Sequence, residues 1–270
     1  MAKKRKEDAA RSRPLSLDFL RQLGALKDFT PPTGAFDPKG AWTNTYHLWL
    51  VQGNFGGAAL TIRREPKGDR VRLHVSFDVA EWSGYVRRTK AVLGCKADTL
   101  CTPVSWTLES QAHDVSDKPI AGTKLAERGT VGDGILEVRF GSQARKEKVA
   151  APVTSQWSLC DAVQRFPGEG TKPLAFTMLE EMDLVKPDQR LEFREEKDFK
   201  VGDTTLHLRG YQQIGWGILP WQYWVDDQRR LLFAFSGVRA YIYNTNATAW
   251  LKKKLDGARW RTRRIRQGKK

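Results

Sequence analysis

The sequence predicts a mainly β fold, largely antiparallel, with one internal helix and a short helix near the N-terminus. Three observations carry this reading. Apolar residues recur with period two, most strictly where Val71, Leu73, Val75, Phe77 and Val79 alternate with Arg72, His74, Ser76 and Asp78, the pattern of a strand with one buried and one solvated face. Turn signals such as Pro66-Lys-Gly-Asp69 and Val201-Gly-Asp203 separate these runs. Between strands the chain lacks the amphipathic segments of about a dozen residues that parallel crossovers require.

The elements follow in order. Leu15, Phe19, Leu23 and Leu26 stand at helical spacing over residues 15–29, with Ser16 as a cap. Thr30-Pro-Pro-Thr-Gly-Ala-Phe-Asp-Pro38 ends that helix and reads as a linker. Strands are expected over Trp42–Val51, Ala58–Arg64, Val71–Ala80, Tyr85–Leu93, Pro103–Glu109, Lys124–Thr130 and Ile135–Phe140. The polar, basic stretch Gly141–Thr154 reads as a loop between two halves of the sheet. Ser155 caps the internal helix, which places Trp157, Cys160 and Val163 in register and stops at Pro167-Gly168. Pro173–Met182 fits either a short helix or a strand. Leu191–Phe199, Thr204–Gln213, Trp221–Val225, Leu231–Ser236 and Val238–Tyr243 complete the strand set. The expected organisation is a basic N-terminal segment over residues 1–39, a β domain over 40–249 and a basic tail over 250–270.

A chain of 270 residues with 40% hydrophobic content, 12 Phe and 10 Trp has the material for one core. The formal charge of +15 lies mostly at the ends: residues 1–13 carry six Lys and Arg against two acids, and residues 250–270 carry ten against Asp256 alone. The remaining body is close to neutral. Clustered cations attract polyanions by displacing counterions, and like-charged runs also keep a terminus solvated. Lys252, Lys253, Lys254, Arg259, Arg261, Arg263, Arg264 and Arg266 are therefore the candidate polyanion contacts. No window approaches the apolar length of a membrane-spanning helix, so a protein integral to the membrane is not expected. Asp18 and Arg21 interrupt the only N-terminal stretch that resembles a secretory core, so a cytoplasmic chain is expected if Met1 is the native start. Cys95, Cys101 and Cys160 lack CxxC spacing and are expected as free thiols. A Cys95–Cys101 bridge would need a turn over the intervening residues.

Catalytic and metal signatures are weak. His47, His74, His113 and His207 are widely spaced and form no HExxH pattern, and three of them fall at polar strand positions. Ser83 and Ser236 lack the glycine two residues earlier that a nucleophile elbow requires. Glu180-Glu181-Met-Asp183 and Glu195-Glu196-Lys-Asp198 concentrate carboxylates, but neighbours on a strand point to opposite faces. No cofactor or metal is expected. Aromatic residues are the least ordinary feature: Tyr211, Trp216, Trp221, Tyr223, Trp224 and Phe233 fall within 23 positions. They fit either an aromatic core or an apolar groove with polar aromatic tips at its mouth, and they are the candidate ligand contacts.

The run from Leu206 to Phe233, with its Tyr223-Trp-Val-Asp226 and Leu231-Leu232 hairpin, resembles the closing strands of uncharacterised exported bacterial half-barrel proteins. The Trp157-Ser-Leu-Cys-Asp-Ala-Val-Gln-Arg-Phe-Pro167 helix and the Leu93-Gly-Cys-Lys-Ala-Asp98 turn are similar too, so the resemblance spans roughly Trp42 to Tyr243. It implies a curved antiparallel sheet, or half-barrel, wrapped around a helix. It also implies export, and an apolar concavity by analogy with half-barrels that carry lipidated cargo. The functional expectation is a non-enzymatic binding or accessory protein that holds an apolar or amphipathic small molecule or lipid, its tails meeting an acidic surface. The alternatives are a nucleic-acid-associated protein, with Trp250 and Trp260 stacking on bases beside the basic tail, and a hydrolase with an unidentified site.

Overall fold

A computed structural model describes residues 16–50, 57–80, 85–114, 116–150, 152–237 and 239–253. The first half of the chain supplies β1 (Trp42–Leu50), β2 (Gly57–Lys67), β3 (Arg70–Ala80), β4 (Val86–Lys96), β5 (Pro103–His113), β6 (Leu125–Gly132), β7 (Ile135–Phe140) and β8 (Gln143–Lys148). The second half supplies β9 (Val153–Ser155), β10 (Leu174–Glu180), β11 (Leu184–Val201), β12 (Thr204–Gly215), β13 (Trp221–Val225), β14 (Leu231–Ser236) and β15 (Arg239–Tyr243). Helix α1 (Leu17–Gln22) precedes the sheet, α2 (Gln156–Ala162) follows β9, and residues 247–253 form a terminal helix, α3.

All fifteen strands join one sheet in the order β8-β7-β6-β5-β4-β3-β2-β1-β15-β14-β13-β12-β11-β10-β9. Apart from β8 and β9, each strand pairs with its sequence neighbours, and β1 pairs with β15 from Tyr46 opposite Tyr243 to Leu50 opposite Arg239. The arrangement is an antiparallel meander in which only β9 and β10 run parallel. It stays open between β8 and β9. The mainly β class, the curved and unclosed sheet and the few short helices agree with the sequence reading.

The alternation in β3 sets the register. Val71, Leu73 and Val75 are buried on the inner face, Phe77 and Val79 continue that face at its open end, and Arg72 is exposed. Two differences from the sequence reading have simple causes. The expected loop over residues 141–154 contains β8 and β9. Strand β8, Gln143-Ala-Arg-Lys-Glu-Lys148, is exposed at every position, so it shows no apolar alternation and is held by its ladder to β7. Such charge also blunts an open edge. Residues 174–180 form a strand, because β10 pairs on one side with β11 and on the other with the short β9.

Helix α2 sits inside the curve. Ser155 caps it, its Oγ accepting from Ser158 N at 3.1 Å, and Trp157, Ser158, Leu159, Asp161 and Ala162 are all buried. The helical residues end at Ala162, and turns carry the chain on to Phe166. Asp161 is the anchor. It accepts from Arg64 Nε of β2 at 2.6 Å and from Arg165 Nε at 3.1 Å, with all three side chains sheltered from water. Arg64 also donates to the carbonyls of Lys39 and Gly40, which ties the linker to the same point.

The convex face is covered in two places. Leu17, Leu20, Leu26 and Phe29 of the N-terminal segment belong to the main core, and the Phe29 ring lies 4.9 Å from that of Phe233. Strand β14, Leu-Leu-Phe-Ala-Phe-Ser, is accordingly buried at all six positions, as a strand covered on both faces should be. At the other end of the chain, Ala247 and Leu251 of α3 pack with Ala59 and Ala80, and Trp250 lies across Gly57. Gly57 has φ of +103°, and a Cβ there would meet the Trp250 ring at 2.7 Å, so both backbone and contact require glycine.

Candidate functional site

A cavity of about 330 Å³ opens at the end of the curve where β1 and β3 finish and β2 and β4 begin. That volume falls at the lower end of the range for small-molecule pockets, about 300–1,000 Å³. Its wall is drawn from nearly the whole sheet, from Leu48 and Leu60 through Phe77 and Leu108 to Phe140, and on the far side from Met178, Tyr223 and Tyr241. Trp157 and Cys160 of α2 line it from the helix side.

Aromatic stacking shapes one side. Trp221 stacks on Tyr241 with centroids 6.0 Å apart and 17° between planes, and on Tyr223 at 6.2 Å and 23°. The Arg239 guanidinium covers Trp221 at 5.1 Å. These rings meet because Trp221 and Tyr223 occupy alternate positions of β13, and Tyr223 stands opposite Ala234 of β14, itself opposite Tyr241 of β15. The small alanine leaves room between the flanking rings.

The buried polar groups of the wall mostly satisfy one another. Tyr223 donates to Gln213 Oε1 at 2.8 Å, Gln213 Nε2 donates to Gln189 Oε1 at 3.2 Å, and the Thr89 and Ser110 hydroxyls lie 2.9 Å apart. Burial pushes Tyr223 well above the ordinary tyrosine range, and it pushes Tyr241 and the Cys160 thiol each up to about 12. Cys160 therefore stays protonated near neutrality and offers no thiolate nucleophile.

Glu127 stands apart. It is 3% exposed and faces the cavity from β6, where its Oε1 accepts from Trp106 Nε1 at 2.6 Å. The approach depends on Gly129, since a Cβ there would overlap the Trp106 ring at 1.9 Å. Burial raises the Glu127 pKa, opposed by the Trp106 hydrogen bond, and the nearby Asp183 adds to the rise while Arg145 works against it. Among the described residues Glu127 has no ion-pair partner.

The aromatic residues picked out by sequence divide between two surfaces. Trp221 and Tyr223 line the cavity. Tyr211 shares their face, opposite Tyr223, but its hydroxyl donates to Phe166 O beneath the helix. Trp224 and Phe233 are paired with each other on the convex face, where the N-terminal segment covers them. Trp216 is 71% exposed in the β12–β13 turn. The period-two rule separates Trp221 and Tyr223 from Trp224 and could have drawn this division from sequence. Glu127 and Arg239 carried no comparable signal, because their partners Trp106 and Trp221 stand on other strands and are brought to them by register.

Other candidate groups are also placed. Glu180 lines the cavity and pairs with Lys186 at 3.6 Å, while Glu181 and Asp183 line it from the β10–β11 turn. Glu196 and Asp198 of β11 lie with His207 of β12 on the strand face that Tyr211 occupies, exposed beyond it, and His207 Nδ1 lies 2.9 Å from Asp198; the two carboxylates raise its pKa, Asp198 most. His47, expected at a solvated position, is buried, with its ring 5.3 Å from Trp250 because α3 covers that part of β1. Trp250 is thereby packed, partly buried, against the body. Lys252 and Lys253 are exposed on α3, while Lys254, Arg259, Trp260, Arg261, Arg263, Arg264 and Arg266 lie outside the described residues. Cys95, Cys101 and Cys160 are free thiols. No group of three or more His, Cys, Asp or Glu among the described residues is arranged to hold a metal ion. No helix among them is long and apolar enough to cross a membrane.

No protein-family model and no curated protein matches the sequence. The fold does have a counterpart. A crystal structure of a β-barrel-like protein of domain of unknown function DUF1849 from Brucella abortus superimposes with a TM-score of 0.51 over 76% of this chain and 96% of that chain, at 10% sequence identity. At that identity the likeness concerns architecture: the chain shares the fold of an uncharacterised bacterial β-barrel-like protein.

Proposed function

We propose that this protein is a non-enzymatic binding or accessory protein that holds an apolar or amphipathic ligand within its curved sheet. The observation that carries the reading is the cavity itself: about 330 Å³, walled by aliphatic and aromatic side chains, with charged groups among its lining. A surface of that character buries the apolar part of a ligand and orients its polar end. The volume suits a single short chain or a small ring system, and is too small for a two-chain lipid to be enclosed.

An apolar fluorescent probe tests the proposal. It should bind the intact protein and change tryptophan emission, because Trp157 and Trp221 both line the cavity. Trp221→Ala should weaken that binding several-fold while leaving the circular dichroism spectrum unchanged. Failure of any probe to bind the parent protein sinks the reading. Native mass spectrometry of protein isolated from its source would then identify the natural occupant.

A further inference from the structure

We infer that the cavity selects an amphiphile with a cationic amine head, which Glu127 receives. The inference rests on the binding proposal above and gives it a ligand class. Glu127 Oε1 is occupied by Trp106, while Oε2 has no hydrogen-bond partner among the described residues, and the side chain is 3% exposed on the cavity wall. A buried carboxylate without a cation is costly unless something supplies one. An alkylammonium is the simplest group that does so: its N–H donates a charge-assisted hydrogen bond to Oε2 while its chain lies against Leu108 and Phe140.

The surrounding charge favours the same sign. Four acids line the cavity, Glu127, Glu180, Glu181 and Asp183, against Arg87 and Arg239. Lys186 pairs with Glu180, Glu181 is exposed and Asp183 is half-buried, so the most deeply buried of the four carboxylates, and one without an ion-pair partner among the described residues, is Glu127. Arg239 offers the competing site. It is exposed, stacked on Trp221 and without an ion-pair partner among the described residues, and an anionic head would choose it.

Decylamine, decanol and decanoate share one chain and differ in head charge, so tryptophan fluorescence titrations of the intact protein with all three separate the readings. Decylamine should bind about tenfold more tightly than decanol, and decanoate more weakly than either. Glu127→Gln keeps an acceptor for Trp106 and should erase the preference for decylamine over decanol. An unchanged circular dichroism spectrum and melting curve check that the variant is folded. Arg239→Gln should leave the amine preference intact. Decanoate binding as tightly as decylamine, or an amine preference that survives in Glu127→Gln, overturns the inference while the general binding proposal stands. Absence of binding by all three overturns both.

Discussion

Arg64 Nε donates to the Asp161 carboxylate at 2.6 Å, a buried ion pair that ties the inner helix to β2. Both side chains are almost wholly removed from water, and Arg165 closes the other carboxylate oxygen. Removing one member strands a buried charge. Asp161→Ala should therefore cost about 3–5 kcal/mol in urea denaturation. A loss under 1 kcal/mol would mean the helix is held by its apolar contacts alone.

The two faces of β13 should respond differently to truncation. Trp224 is buried on the convex face near Lys197 and over Gly210, so Trp224→Ala should destabilise by about 3–5 kcal/mol without altering the affinity of an apolar probe in the fraction that remains folded. Trp221→Ala should show the reverse. Equal effects on stability and binding from both substitutions would contradict the division of faces.

Much of this architecture was legible in the sequence, and the reason is local. The strand alternation of Val71 to Val79, the Ser155 cap and the Leu231–Phe235 run each report their own backbone state within a few residues. The cavity was not legible in the same way. Its members reach one wall through pairings such as Leu108 with Glu127 or Tyr223 with Ala234, and those depend on register between strands. Strand β8 escaped notice because its side chains are all solvated and only its backbone is paired.

Glu127 gives a pH signature. Burial raises its folded pKa, with Asp183 adding to the rise and Trp106 and Arg145 opposing it. Between the unfolded and folded values the native state holds a proton that the unfolded chain has released, so stability falls as pH increases through that window. Glu127→Gln removes the titration. Its melting temperature should match the parent's below the ordinary glutamate range and exceed it by a margin that grows as pH rises above that range. A constant difference as pH rises would show that the carboxyl titrates normally.

The C-terminal region should divide at the end of α3. Truncation after Lys253 should leave the melting temperature unchanged, whereas truncation after Asn246 removes Trp250 and Leu251 from Gly57 and Ala59 and should cost about 1–3 kcal/mol. Fluorescence anisotropy with labelled oligonucleotides at several salt concentrations tests the basic tail. If it contacts phosphates, affinity should fall with a log–log slope of about −0.7 to −0.9 per phosphate neutralised, and the truncation after Lys253 should lose most of that slope. No binding at low salt by the full chain would leave the tail without a nucleic-acid role.

The cyclic order of the strands has a kinetic corollary. The meander can grow outward from β1 to β8, and again from β10 to β15, using only antiparallel pairings between neighbours in the chain. Neither series alone surrounds α2. The two are joined by β1 and β15, whose paired residues, Tyr46 and Tyr243, lie almost two hundred positions apart. Closing so long a loop carries a large entropic barrier before any new contact rewards it. During synthesis the two series cannot join until β15, Arg239–Tyr243, has left the ribosome, and until then that edge of β1 stands unpaired.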